Sequence, residues 1–376
     1  MMLREMLPYP IWSRLQRARA WVRELPERRR VAALRPRVPR DRLAVCTAGS
    51  SSAAPGLPLR GGRVKLGPLQ ERFPGTPEEF NVLYLVSSAL PAAAGAWIRS
   101  ARAAGARVVW NQNGIAYPGW IGRAHELLNR PLRELLPQVD LVLFQSEYCR
   151  LSTQRFVGDV ARAWQVMYNA VDTTRFTPRE TPLPREPLVL VAAGTQQSAY
   201  RVRAALATLA ALRRRGVAAR LRLAGGLDFE GGRPLVERMM AELDVRDVEL
   251  VGPYGRDAAP DIYRSAHVCL HTVYKDACPT TVVEAMASGV PVVGTASGGT
   301  PELVGDEGGR VVPVRETWDE IVAPDPELLA AAVIEVAAQL PALSASARRR
   351  AVERFDQCAW LDRHEALFRQ ITGVAA

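Results

Sequence analysis

Five short apolar runs follow one another in the first half of the chain: LAVCTAG at 43–49, NVLYLVSS at 81–88, ARVVWNQN at 106–113, DLVLFQS at 140–146 and AWQVMYNAV at 163–171. Their apolar residues are consecutive, many of them β-branched, and helical or loop segments separate one run from the next. That pattern predicts strands of a parallel sheet covered on both faces. The stretch TPRETPLPREP at 177–187 then interrupts it and reads as an interdomain linker. Beyond it the alternation restarts: PLVLVAAG, a helix near 201–215, ARLRLAGG, a helix at 233–243, VELVGPY, a helix near 257–265, and AHVCLHT. VPVV at 290–293 reads as one more buried strand. The fold class expected is α/β, with two doubly wound domains, and no repeat of 20–50 residues is present.

Length and composition fit this division. A chain of 376 residues exceeds one ordinary core and suits two domains of roughly 150–200 residues each. Five cysteines, odd in number and without metal-ligand spacing, point to a reducing compartment and imply no zinc site. No run approaches the ~18 apolar residues that span a bilayer, and the N-terminus lacks the apolar core of a secretory signal, so a cytoplasmic location is expected.

Charge changes the picture at one end only. Residues 1–42 hold twelve Arg against three Glu and one Asp, so eight of the ten net positive charges reside there. Ile11, Trp12, Leu15, Trp21, Val22 and Leu25 interleave with the Arg residues at loosely helical spacing. Two readings follow, a basic helix in peripheral contact with an anionic inner membrane surface or an extension packed against the first domain, and packing is preferred. Nucleic acid is not expected as a partner, because no recognition motif accompanies the patch.

The chemistry concentrates in HTVYKDACPTTVVEAMASGVPVVGTASGGTPEL, residues 271–303. Seven residues separate Asp276 from Glu284, around a helix start at Pro279, Thr280 and Thr281, and Gly289 ends that helix. Glu284 falls four residues after Thr280 and three after Thr281, so the three share a face. The free N–H groups and positive dipole end of such a start suit an anion, most often a phosphate. Gly298 and Gly299 precede a second helix start at the next strand end, an arrangement that suits a ligand crevice. Ordinary capped-helix packing is the competing reading of the same residues.

The run Asp276, Glu284, Ala285, Met286, Ala287, Gly289, Pro291, Val292, Gly298, Gly299 and Glu302 resembles the donor-site motif of glycosyltransferase family 4, retaining enzymes of the GT-B fold, with Asp where the first acid is usually Glu. NAVDTTRFTP at 169–178 resembles the segment that closes the first domain in that family. The resemblance implies two Rossmann-like domains facing across a cleft, here 43–178 for the acceptor and 179–356 for the nucleotide sugar, after a basic extension at 1–42. A C-terminal helix near 357–376 would pack back on the first.

It further implies Asp276, Glu284 and Arg201 as catalytic residues. Glu284 would hold the ribose hydroxyls and Asp276 the donor sugar, while Thr280 and Thr281 would face phosphate or sugar. Gly61, Gly62, Gly194, Thr195 and Pro279 complete the donor set. Thr195 stands where the family commonly has Arg, so Arg201, in preference to Arg203, is taken as the cation that grips the diphosphate. Asn113 replaces the usual His; with Tyr117 and Lys65 it makes the acceptor set, Tyr117, Trp110 and Trp120 are stacking candidates, and core packing is an equally ready reading of Trp110. His125, His267, His271 and His364, with no acid or Ser partner evident in the sequence, each read as structural, and His271, at a strand end beside the motif, is the best exception.

The function implied is transfer of a hexosyl or aminosugar unit from a nucleoside diphosphate sugar, a uridine one by preference, to a small-molecule, natural-product, cell-envelope or lipid-linked acceptor, with no cofactor and no metal required. The alternatives are a nucleotide-sugar 2-epimerase on the same fold and a non-catalytic sugar-nucleotide-binding homologue. A Rossmann dehydrogenase is disfavoured, since no G-x-G-x-x-G follows the first strand.

Overall fold

A computed structural model describes residues 9–49, 64–160 and 162–375, with the side chains of 9–20 left out of account. The chain divides into two compact units. The first takes in the described residues up to Phe144, then Arg150–Val166, then the chain from Leu361; the second takes in Gln145–Cys149 and Met167–Trp360. The division therefore falls at Val166/Met167, ahead of the boundary expected after 178. The proline-rich stretch lies wholly inside the second unit, where Thr177 Oγ1 accepts from Arg264 (3.1 Å) and Arg179 donates to the Ala266 carbonyl. Prolines there end regular structure without marking a change of core.

The first unit holds five parallel strands in chain order, β1 (Val45–Cys46), β2 (Val82–Val86), β3 (Arg107–Gln112), β4 (Leu141–Phe144) and β5 (Ala163–Val166). Strands β2 and β4 are buried along their whole length, as consecutive apolar runs require. Tyr84 on β2 packs against His364 and Phe368 of the C-terminal segment, which forms part of this unit. The helix Tyr9–Ala33 is tied to it through its last turns. Val31 is fully buried, Glu27 accepts from Trp97 Nε1 (3.2 Å), and the Arg30 guanidinium lies 5.3 Å from the Trp97 ring centroid. Packing accounts for that end of the basic extension, while Trp21 and Val22 stay exposed.

The second unit is a six-stranded parallel sheet made of β6 (Leu188–Ala193), β7 (Ala219–Ala224), β8 (Val248–Gly252), β9 (Val268–His271), β10 (Val292–Thr295) and β11 (Gly309–Val312). Its spatial order is β11-β10-β9-β6-β7-β8. The chain runs outward from β6 to β8, returns to pair β9 beside β6, and runs outward the other way. Alternation along β6 shows both faces in use. Leu190 and Ala192 join the core under the helices Ala199–Arg214 and Pro326–Ala338, whereas Val191 and Ala193 join the core under Thr280–Ala287 and Leu340–Phe355. The helix Pro326–Ala338 starts as its sequence asks, with Pro326 first and Asp325 capping the Glu327 N–H (2.8 Å).

Leu190 is fully buried at the centre of this sheet. Leu190→Ala should cost about 2–5 kcal/mol in urea unfolding, and Val22→Ala, at a side chain 58% exposed, less than about 0.5 kcal/mol. Equal midpoints for the two variants would contradict this placing of the core.

Candidate active site

Reversal of strand order between β6 and β9 opens the sheet at its carboxyl end, because the connections leaving these neighbours depart in opposite directions. Gly194 and Thr195 leave β6 there, and residues 272–281 leave β9. The two segments meet: a Cβ on Gly194, whose φ is +89°, would lie 3.0 Å from Thr281 Cγ2. Helix Ala199–Arg214 carries Arg201 in its first turn, and helix Thr280–Ala287 carries Thr280, Thr281 and Glu284. The fold thus brings Gly194, Thr195, Arg201, Asp276, Pro279, Thr280, Thr281 and Glu284 to one end of one sheet.

Arg201 donates from Nη1 to the Thr195 carbonyl (3.1 Å), and its Nε is buried without a hydrogen-bond partner. Burial lowers the affinity of this guanidinium for its proton, against the pull of Tyr200 and Asp276. An unanswered buried donor of this kind is costly unless something accepts from it. Pro279 occupies the N-cap of helix Thr280–Ala287, so no side chain caps the helix and no acid stands in its first turn. A charged guanidinium and an uncapped positive helix end therefore converge, which suits an anion.

The two carboxylates differ. Asp276 accepts from the Cys278 N–H (3.3 Å), and burial raises its carboxyl above the ordinary range while Arg201 acts in the other direction. His271 Nε2, buried and without a hydrogen-bond partner, lies 3.9 Å from Asp276 Oδ2. Burial, then Arg201, pushes the imidazole down to about 3, so it is neutral and forms no ion pair with Asp276. Glu284 is half-buried and accepts from Tyr263 Oη (2.8 Å). Burial pushes its carboxyl up to about 7 despite that hydrogen bond and the more distant Arg256.

Gly298 and Gly299 serve the site at one remove. A Cβ at Gly298 would stand 2.2 Å from the Asp276 carbonyl oxygen and one at Gly299 2.1 Å from that of Ala277, and the Gly299 N–H donates to Asp276 O (2.7 Å). Their missing side chains make room for the backbone of the Asp276 turn. Ser146 Oγ donates to Ala277 O (2.6 Å), Asn169 Nδ2 to Cys278 O (2.8 Å) and Thr272 Oγ1 to Arg201 O (3.0 Å). Glu302 accepts from the backbone N–H groups of Glu147 (2.8 Å) and Tyr148 (2.7 Å), capping the helix that begins there.

The remaining expected residues lie elsewhere. Gly61 and Gly62 fall outside the described residues. Lys65, Asn113 and Tyr117 belong to the first unit, where Lys65 Nζ donates to Asn111 Oδ1 (3.0 Å) and the Asn113 N–H to Ser87 Oγ (2.9 Å). Trp110 is fully buried with its Nε1 given to Gln112 (2.8 Å), the core-packing reading of that residue; Tyr117 is also buried, against a stacking role, and Trp120 is exposed. His267 accepts the Val189 N–H through Nδ1 (2.9 Å), and His364 is in the first core. Tyr263, Tyr254 and Lys275 were not expected at the site, and Tyr254 Oη accepts from the Gly194 N–H (3.1 Å). Nothing in the local sequence around Tyr263 marks it, because its partner Glu284 lies on another helix. Among the described residues no three His, Cys, Asp or Glu side chains gather as a metal site would need.

Residues 186–339 match the family model described as Glycosyl transferases group 1. Over 149 residues, 38% of this chain, the sequence is 32% identical to an Escherichia coli K12 protein with the provisional name colanic acid biosynthesis glycosyltransferase WcaL. Over 165 residues, 40% of the chain, it is 32% identical to the D-inositol 3-phosphate glycosyltransferase of Saccharomonospora viridis. The chain matches 36% and 38% of the length of these relatives. Among solved structures it is similar to sucrose-phosphate synthase from Thermosynechococcus elongatus, with TM-score 0.63 and 18% identity over 83% of this chain and 78% of that one. It is also similar to HepE of Anabaena in complex with UDP, with TM-score 0.62 and 19% identity over 77% and 79%. Two parallel-sheet α/β units and these likenesses give the chain the GT-B fold, with a second unit that matches the Glycosyl transferases group 1 model.

Proposed function

We propose that the chain is a retaining glycosyltransferase of family 4 that takes a hexosyl or aminosugar unit from a nucleoside diphosphate sugar, a uridine one by preference, to a small-molecule or cell-envelope acceptor. One observation carries the reading: a buried guanidinium with an unanswered Nε lies at the same end of the sheet as an uncapped helix start whose first turns carry Glu284. That combination holds a diphosphate next to hydroxyls. Structures of HepE of Anabaena with UDP and with UDP-glucose make the uridine nucleotide the first to test.

In this reading Arg201 and the N–H groups of Thr280 and Thr281 bind the diphosphate and stabilise its charge as the glycosidic bond breaks, which is where electrostatic preorganisation acts most strongly. Asp276 holds hydroxyls of the donor sugar near the developing positive centre. The acceptor proton passes to a donor phosphate oxygen on the same face, so no strong enzymic base is required. His271, neutral, offers a hydrogen bond and no charge. The acceptor engages polar groups of the first unit near Asn113 and Lys65, where the usual His is absent.

Glu284 accepts the two ribose hydroxyls best when ionised. Its carboxyl rises from an ordinary 4.5 to about 7 in the folded chain, so the folded state holds the proton more tightly than the unfolded one. The stability this contributes is complete below about 4.5 and is lost as pH climbs through about 7. Glu284→Gln should therefore gain thermal stability over the parent as pH rises from 5 to 8, while UDP affinity of the parent rises over the same interval. A stability difference independent of pH would contradict the raised carboxyl. At pH 8 the same variant should bind UDP at least about tenfold more weakly by calorimetry.

Arg201→Gln should weaken UDP binding about tenfold or more while changing the affinity for uridine less than about threefold. Asp276→Ala should lower sugar transfer at least about tenfold with UDP affinity nearly intact. Equal losses for UDP and uridine in the first variant, or parental turnover in the second, would overturn the roles given to these residues.

A further inference from the structure

Lys275 precedes Asp276 in a conformation that L-residues avoid, with φ of +56°. Its side chain is wholly buried. The ammonium lies 3.8 Å from the centroid of the Trp318 ring, 5.1 Å from that of Tyr274 and 5.8 Å from that of Tyr148, and it pairs with Glu316. The Tyr148 and Trp318 rings stack at 5.9 Å. Each wall comes from a different place in the chain: Tyr148 from a helix start, Tyr274 from the turn itself, Trp318 and Glu316 from the loop after β11. Tyr274 Oη fastens that loop by accepting from the Thr317 N–H (2.9 Å) and donating to the Thr317 carbonyl (2.8 Å).

Burying an ammonium is expensive, and an apolar side chain of the same length would fill this space without the cost. Its partner Glu316 keeps 58% of its side chain exposed, so the aromatic walls enclose the ammonium while the carboxylate stays in solvent; a buried charge held in this way serves best where one conformation must be selected. Strained backbone that the surroundings over-determine gathers at functional sites. The turn held here is the one whose carbonyls sit against Gly298 and Gly299, and its next side chain is Asp276. We infer that Lys275 is a positioning residue: its caged ammonium locks the left-handed turn and thereby aims the Asp276 carboxylate at the donor sugar. The aim rests on the nucleotide-sugar reading above, whereas the locking of the turn does not.

The Gly299 N–H, which donates to Asp276 O, reports on the turn without any ligand. In hydrogen–deuterium exchange, Lys275→Met should speed exchange of this amide at least tenfold, and Lys275→Arg should keep it within threefold of the parent. Trp318→Leu, which opens one wall and leaves the lysine in place, should speed it several-fold and carries the same test should Lys275→Met fail to fold. With UDP-glucose as the probe donor, Lys275→Met should lower kcat at least tenfold, leave the UDP Kd within twofold, and be rescued by Lys275→Arg. Unchanged Gly299 exchange in Lys275→Met and Trp318→Leu overturns the lock. A UDP Kd that weakens in step with kcat overturns the positioning of Asp276 and leaves general destabilisation. If the parent chain binds no UDP, the nucleotide reading fails, and the exchange measurement still decides whether the cage holds the turn.

Discussion

A guanidinium buried with one of its donors unanswered governs this molecule. Arg201 is held by the Thr195 carbonyl at one nitrogen, while its Nε is buried with no hydrogen-bond partner. The position follows from topology. The reversal between β6 and β9 keeps the sheet's carboxyl end free of a crossing connection, and the first turn of the helix after β6 reaches into that opening. The uncapped start of helix Thr280–Ala287 lies at the same end of the sheet. A buried cation and a helix start without a capping side chain are both features that favour an anion, and the proposed diphosphate site rests on them.

Much of the remaining structure fixes the segment that joins β9 to the next helix. Residues 272–278 form an irregular segment with no ladder of its own, and groups from several places hold it: Ser146, Asn169, Ser297, Gly298, Gly299 and the aromatic cage around Lys275. A carboxylate presented on such a segment, here Asp276, can be aimed within a fraction of an ångström, the tolerance that charge stabilisation in a reaction demands. Desolvation has a second effect. It keeps His271 neutral and raises the Glu284 carboxyl to about 7, so the charge at this end of the sheet changes within the ordinary pH range at Glu284.

The sequence made the second unit far more legible than the first. Asp276, Pro279, Thr280, Thr281 and Glu284 are neighbours in the chain, and a single helix start ties their geometry to their spacing. Gly298 and Gly299 were visible as a strand-end pair, yet that they shelter the Asp276 backbone depends on contacts that spacing does not encode. Tyr263 and the Lys275 cage were illegible for the same reason, since each joins residues brought together only by packing. A tryptophan in a strand looks the same whether it faces core or ligand, so Trp110 could be placed only by its burial. The proline-rich stretch misled because prolines mark the end of regular structure, whereas a unit boundary depends on which core the flanking side chains enter.

Arg201 itself offers the most direct measurement. Its Nε–H resonance can be followed by 15N nuclear magnetic resonance, assigned by its loss in Arg201→Lys, while UDP or uridine is titrated into the protein. The account predicts a downfield shift that saturates with UDP and no shift with uridine at matched concentration. A resonance that stays in place while UDP saturates the chain would contradict it.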